Sequence, residues 1–242
     1  MRYIARLDIK NNYVIKGIHL EGLRKVGDPV ELAEKYYIDG ADELLLIDSV
    51  ASLYGRNSVF DVIKNTSKKV FIPITVGGGI RSLSDAEIAL DSGADKIALN
   101  SILFKNALLL NDIAKKYGSQ CAVASVQAKK TQSQKWEAYS ETGRQPTGID
   151  NVDHIKNLLD NGAGEILLTS IDMEGTKKGF DIELAEMVSS ICTVPLIVSG
   201  GLGSIDHIDK IKKIPGIGAI TASSVLHYEI YSFNEIKSLE EV

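Results

Sequence analysis

Short apolar runs rich in branched side chains recur along the chain, and each is followed by a stretch with the three-to-four-residue apolar spacing of a helix. Eight of these runs are predicted strands: Tyr3–Asp8, Glu43–Ile47, Phe71–Val76, Lys96–Leu99, Cys121–Gln127, Glu165–Ser170, Pro195–Ser199 and Ala219–Ala222. The helices between them have readable starts. Asp28 precedes Pro29 and Glu31, which supplies an N-cap, a proline at the first helical position and a capping-box acid. Ser232 with Glu235 repeats the capping box before the last helix. Strand-then-helix units in this number predict a closed parallel barrel or an open doubly wound sheet.

An internal repeat decides between them. VGGGIRS from Val76 matches VSGGLGS from Val198, and GADELLL from Gly40 matches GAGEILL from Gly162, both at an offset of 122 residues. Ile72-Pro73-Ile74 matches Val194-Pro195-Leu196 at the same offset, and ARLDIK from Ala5 matches ASVQAK from Ala124 at 119. Four matches in one order predict two homologous halves, roughly 1–120 and 121–242, each of four units. Two such halves close into a single (β/α)8 TIM barrel, whereas an open sheet needs a reversal of strand order. No Pro-, Ser- or charge-rich linker interrupts the chain, so one domain over 1–242 is expected.

Composition narrows the function. Twenty-seven Lys and Arg against 32 Asp and Glu give a net charge of −5, so no global field favours nucleic acid or anionic membrane. The N-terminal MRYIARLDIKNN is broken by charge every few residues, which predicts neither a signal peptide nor a membrane anchor. Cys121 and Cys192 lie in apolar runs, are expected to be buried free thiols, and fit a reducing cytoplasm. His19, His154, His207 and His227 show no metal-ligand spacing and are expected at the surface or at helix ends; no metal or cofactor is expected. Trp136, in a polar hairpin-like insert, reads better as a loop anchor than as a lid.

Chemistry is expected at the C-terminal ends of the strands. Gly77-Gly78-Gly79 and Gly200-Gly201 each follow an odd strand, while Asn100-Ser101 and Ser223-Ser224 end the neighbouring even strands. Glycine lets backbone approach an anion, and helix N-termini offer unpaired N–H groups, so two phosphate cradles are predicted in preference to plain turns. Asp8 ends the first strand as a candidate acid or base, and its repeat mate is Gln127. Asp48, Asp172 and Glu174 are further carboxylates on that rim; Asp48 and Asp172 read equally as loop caps, and Glu174 precedes Gly175-Thr176, where a phosphate loop is the other reading. At the opposite end Arg2, Glu43, Lys96 and Glu165 begin their strands, where four charges form stabilising ion pairs or a ring that closes the floor.

These motifs, with KGIHLEGLRKVGDPVELA (16–33), GADELLLID (40–48), FIPITVGGGIRS (71–82), GADKIALNS (93–101), TGRQPTGID (142–150), GAGEILLTSIDMEGTKKGFD (162–181) and VSGGLGS (198–204), resemble the cyclase subunit of imidazole glycerol phosphate synthase over nearly the whole chain. The resemblance implies that ammonia from a glutaminase partner enters through the floor and reacts at the mouth with the bisphosphate PRFAR, giving imidazole glycerol phosphate and AICAR. It implies an ammonia gate at Arg2, Glu43, Lys96 and Glu165, and phosphate contacts at Gly78, Gly79, Asn100, Ser101, Gly175, Gly201, Ser223 and Ser224. It also implies a catalytic pair at Asp8 and position 127, where Gln127 replaces the family's second aspartate. A carboxamide neither donates nor takes a proton at neutral pH. Arg6 replaces the usual cysteine and puts a cation near Asp8. Two other readings therefore stand beside the cyclase: a diverged paralogue supplying ammonia for amidation of a surface-glycan sugar, and a non-catalytic barrel that docks the glutaminase. The related sugar-phosphate isomerase fits the floor charges and the first loop less well.

Overall fold

The computed structural model describes residues 1–49 and 59–240. Its strands are β1 (Arg2–Lys10), β2 (Tyr13–Ile18), β3 (Glu21–Gly27), β4 (Glu43–Asp48), β5 (Ile74–Gly77), β6 (Lys96–Leu99), β7 (Ala122–Lys130), β8 (Trp136–Ser140), β9 (Gln145–Asp150), β10 (Glu165–Ser170), β11 (Leu196–Ser199) and β12 (Ile217–Ala222). Eight of them run parallel in the order β1-β4-β5-β6-β7-β10-β11-β12, and β12 pairs with β1 to close the ring. This is the (β/α)8 barrel that the repeat predicts.

Strand alternation sorts the core into two compartments. On β1, Tyr3, Ala5, Leu7 and Ile9 face outward into the large apolar layer shared with the helices. Ile4 faces inward and joins Leu45, Ala98, Val123, Leu167, Ile197 and Ala219 in an apolar girdle around the bore.

The strands differ from expectation in two instructive ways. Phe71 and Pro195, predicted within strands, lie outside them, and Phe71 is 77% exposed. Pro73 and Pro195 have no N–H to give a ladder, but their carbonyls accept from Leu44 and Ile166 at 2.9 and 3.0 Å. The two halves share this entry device. Conversely, β1 and β7 run past Asp8 and Gln127 because each continues into an antiparallel hairpin, β2–β3 or β8–β9. Only the second hairpin was legible in advance. Trp136 at its base is buried and donates from Nε1 to Asp181 Oδ2 at 3.2 Å, so it anchors the hairpin.

Helix starts follow local chemistry. Asp28 accepts from the N–H groups of Val30 and Glu31 at 2.8 and 3.0 Å. Ser232 N–H donates to Glu235 Oε2 at 2.6 Å, and Glu235 N–H donates back to Ser232 Oγ at 3.2 Å. Two expectations about single residues need correction. Cys121 and Cys192 are half-buried rather than buried. His154 is buried within its helix rather than at the surface or a helix end, while His227 ends its helix as expected but is buried there. Among the described residues no helix is long and apolar enough to cross a membrane.

Candidate functional site

At the floor, inward-facing residues at or near the starts of four strands form a closed ring of alternating charge. Arg2 bridges Glu43 at 2.6 Å and also Glu165, while Lys96 bridges Glu43 and Glu165 at 3.0 Å each. Thr75 Oγ1 adds a 2.6 Å hydrogen bond to Glu43. Burial disfavours the Arg2 charge, but Glu165 and Glu43 outweigh it and raise its pKa above the ordinary value. The ring sits beneath the apolar girdle.

At the mouth the two predicted cradles are real neighbourhoods. Gly78, Gly79, Asn100 and Ser101 line one cavity of about 320 Å³, with Asp48, Arg81, Lys105, Gln127 and Glu141. Gly175, Gly201, Ser223 and Ser224 line a much smaller one of about 10 Å³, with Lys16, Glu174 and Thr221. The duplication is visible in the backbone. Asn100 (φ −129°, ψ −85°) and Ser223 (φ −140°, ψ −74°) adopt nearly the same unusual conformation before short helical turns.

The cradle glycines are required first by the fold. Gly78 has φ +93°, and a Cβ there would lie 2.1 Å from the Asp48 carbonyl oxygen. At Gly201, with φ +101°, a Cβ would lie 1.8 Å from the Gly179 carbonyl oxygen. Any side chain at either site strains the turn itself.

Asp8 and Gln127 sit on strands opposite each other in the ring, both buried at the mouth. Asp8 is held by Arg6, whose Nε donates to Asp8 Oδ1 at 3.0 Å. The same guanidinium reaches Thr169 Oγ1 at 3.1 Å and Ser199 Oγ at 3.0 Å, and Thr221 Oγ1 donates to Ser199 Oγ at 2.7 Å. Burial opposes the Arg6 charge, but Asp8 and Glu174 more than compensate and raise its pKa. Gln127 Oε1 is buried and has no hydrogen-bond partner among the described residues.

Of the other rim carboxylates, Asp172 accepts from the Lys130 N–H at 2.8 Å and caps its loop. Asp48 is buried in the wall of the larger cavity. Glu174 forms a buried ion pair with Lys16 of β2. Burial would push the Glu174 carboxyl up, but Lys16 and Arg6 outweigh it and hold it below the usual carboxylate range. Lys16 was missed from sequence. Its only signal is one lysine in the otherwise apolar alternation YVIKGI.

A closed (β/α)8 barrel with a charged floor and paired glycine-and-hydroxyl cradles at its mouth defines the class. The histidine biosynthesis protein family matches residues 2–232, and the chain belongs to that family. It is 56% identical to the imidazole glycerol phosphate synthase subunit HisF of Legionella pneumophila over 86% of this chain and 98% of that relative. It is 44% identical to the subunit of the same name from Bacillus cereus strain Q1, over 98% of this chain and 94% of the relative. Within the family, the chain is thus similar over most of its length to the imidazole glycerol phosphate synthase subunits named HisF.

Proposed function

We propose that this chain, in the cytoplasm, takes ammonia from a glutaminase docked at the barrel floor and uses it at the mouth to convert PRFAR to imidazole glycerol phosphate and AICAR. One observation carries the reading: a closed ring of four charges lies at one end of the bore, and two glycine-and-hydroxyl clusters, each lining a cavity, lie at the other. Arg2, Glu43, Lys96 and Glu165 form the gate for ammonia. Gly78, Gly79, Asn100 and Ser101 hold one phosphate; Gly175, Gly201, Ser223 and Ser224 hold the other. Asp8, paired with Arg6, is the carboxylate that exchanges protons with the substrate.

Gln127 supports a second reading, the paralogue whose cyclisation is altered or lost, because a general acid or base contributes about 10²–10⁴-fold and a carboxamide supplies neither. Steady-state assay with PRFAR and ammonium separates them. Turnover roughly 10²-fold below that of a two-aspartate relative, raised by Gln127→Asp, supports the cyclase. No turnover in either form overturns it in favour of the paralogue or the docking barrel. Lys96→Glu is expected to depress glutamine-dependent turnover, measured with the glutaminase, more than ammonia-dependent turnover.

A further inference from the structure

Gln127 and Glu141 line the larger mouth cavity, and each carries a buried acceptor, Oε1 and Oε2, with no partner among the described residues. A buried acceptor left unpaired costs about 1–3 kcal/mol, so a cavity lined by both residues is built for an occupant that brings hydrogens. An anion alone satisfies neither. Gln127 is 6% exposed, and the wall beside it is small: Ala98 and Ser125. Ser125 is the residue two before Gln127 on β7, as Arg6 is two before Asp8 on β1.

The two sides of the bore differ at this level. Arg6 extends from β1 to Thr169 of β10 and Ser199 of β11, so its guanidinium fills the side made by β10, β11, β12 and β1. Among the described residues the side made by β4 to β7 stays open, and there the mouth cavity reaches down to Ala98 of the apolar girdle. Anything that crosses the girdle therefore emerges on the β6–β7 side, beside Gln127. The apolar girdle disfavours a charged species. The Arg6 cation beyond it repels one as well, while Asp8 is already engaged by Arg6.

Resting on the ammonia-using reading above and deepening it, we infer that Gln127 Oε1 is the seat for neutral ammonia: it accepts one N–H, leaves the nitrogen lone pair uncommitted, and aims it across the mouth toward Asp8. A carboxamide suits this task because it binds N–H without transferring a proton to the nitrogen. Gln127 is on this view a binding residue, and Arg6 a positioning residue that directs ammonia to it.

The test compares the native chain, Gln127→Leu and Gln127→Glu. In steady state with PRFAR and ammonium salts, Gln127→Leu should raise the KM for ammonia about 5–10-fold, the usual weight of one lost hydrogen bond, with the KM for PRFAR changed less than twofold. Gln127→Glu keeps an acceptor and should hold the ammonia KM within about threefold of native. An unchanged ammonia KM in Gln127→Leu overturns the seat while leaving the cyclase reading intact. A second readout needs no turnover: the Gln127 side-chain ¹⁵N resonance, assigned by its loss in Gln127→Leu, should shift saturably with ammonia at alkaline pH. Saturable shift without PRFAR turnover upholds the seat and fails the PRFAR reading. No shift and no turnover overturn both.

Discussion

The two cradles of the mouth descend from one half-barrel, yet only one is open. Their frames agree: the same entry prolines, the same backbone before each short helical turn, and paired capping serines, Ser82 (φ −140°, ψ 163°) and Ser204 (φ −149°, ψ 165°). Their fillings do not. Around the larger cavity the repeat position of Arg6 is Ser125, and that of Asp8 is Gln127, so β7 offers only neutral groups there and the charges on the wall, Asp48, Arg81, Lys105 and Glu141, come from other segments. Around the smaller one Arg6, Lys16, Asp8 and Glu174 crowd together as two buried ion pairs. Duplication preserved what backbone geometry demands, and left the side chains projecting from that frame to diverge into different chemistries.

The comparison breaks most readily at the filled side. Lys16→Met would leave Glu174 buried without its nearest cation, and should cost roughly 3 kcal/mol of unfolding free energy in denaturant titration. Breaking the exposed Lys69–Glu34 pair should leave stability unchanged, and an equal loss from both would show that burial is not what makes the Lys16 pair matter.

The shared frame predicts equality between halves. Gly78→Ala and Gly201→Ala should each lower stability by about 2–3 kcal/mol, since both combine positive φ with a backbone clash. Gly22→Ala, with φ +62° and open space around its Cβ, should cost only about 1 kcal/mol. A large loss in one half alone would deny that the frame is common.

Acid should act through two buried histidines, His227 on the filled side and His154 on the open side. His227 joins Tyr36 Oη at 2.7 Å through Nδ1 and Ser223 Oγ at 3.1 Å through Nε2, and burial lowers its pKa to about 3. His154, stacked on Phe104, is lowered by burial to about 4. Both stay neutral in the folded chain while the unfolded chain takes up protons below about pH 6.5, so stability is intact above that pH and falls as pH drops toward 4. The expected loss is on the order of 2 kcal/mol per histidine by pH 4, read from denaturation midpoints across that range. His227→Gln should flatten the profile, and an unchanged slope would remove His227 from the account.

The smallest effect tests the open side. Ser101→Ala and Ser224→Ala should each weaken a bisphosphate analogue about fivefold in calorimetry, and a monophosphate should lose from only one of them. Equal losses for the monophosphate from both would deny two separate cradles.

Local chemistry written in the sequence determined much of this protein. Alternating apolar runs, the capping residues Asp28 and Ser232, and the repeated GG and GA segments specify strands, helix starts and two halves because each depends on near neighbours in the chain. Asp8, Gln127 and the four floor charges were legible for the same reason: strand period and the end of a strand fix the face and level of a side chain. The pairing of Arg6 with Asp8, two residues along one strand face, was legible, but the reach of Arg6 to other strands and the partner of Lys16 were not. Arg6 meets Thr169 and Ser199 from strands 163 and 193 residues away, and Lys16 meets Glu174 across 158. Only closure of the ring brings those groups together, and Lys16 and Glu174 then tolerate burial because each has a partner that no local pattern announces. The same closure left Gln127 Oε1 buried and without a partner among the described residues, in a side chain that lines the larger cavity, a fact about packing that no stretch of sequence contains.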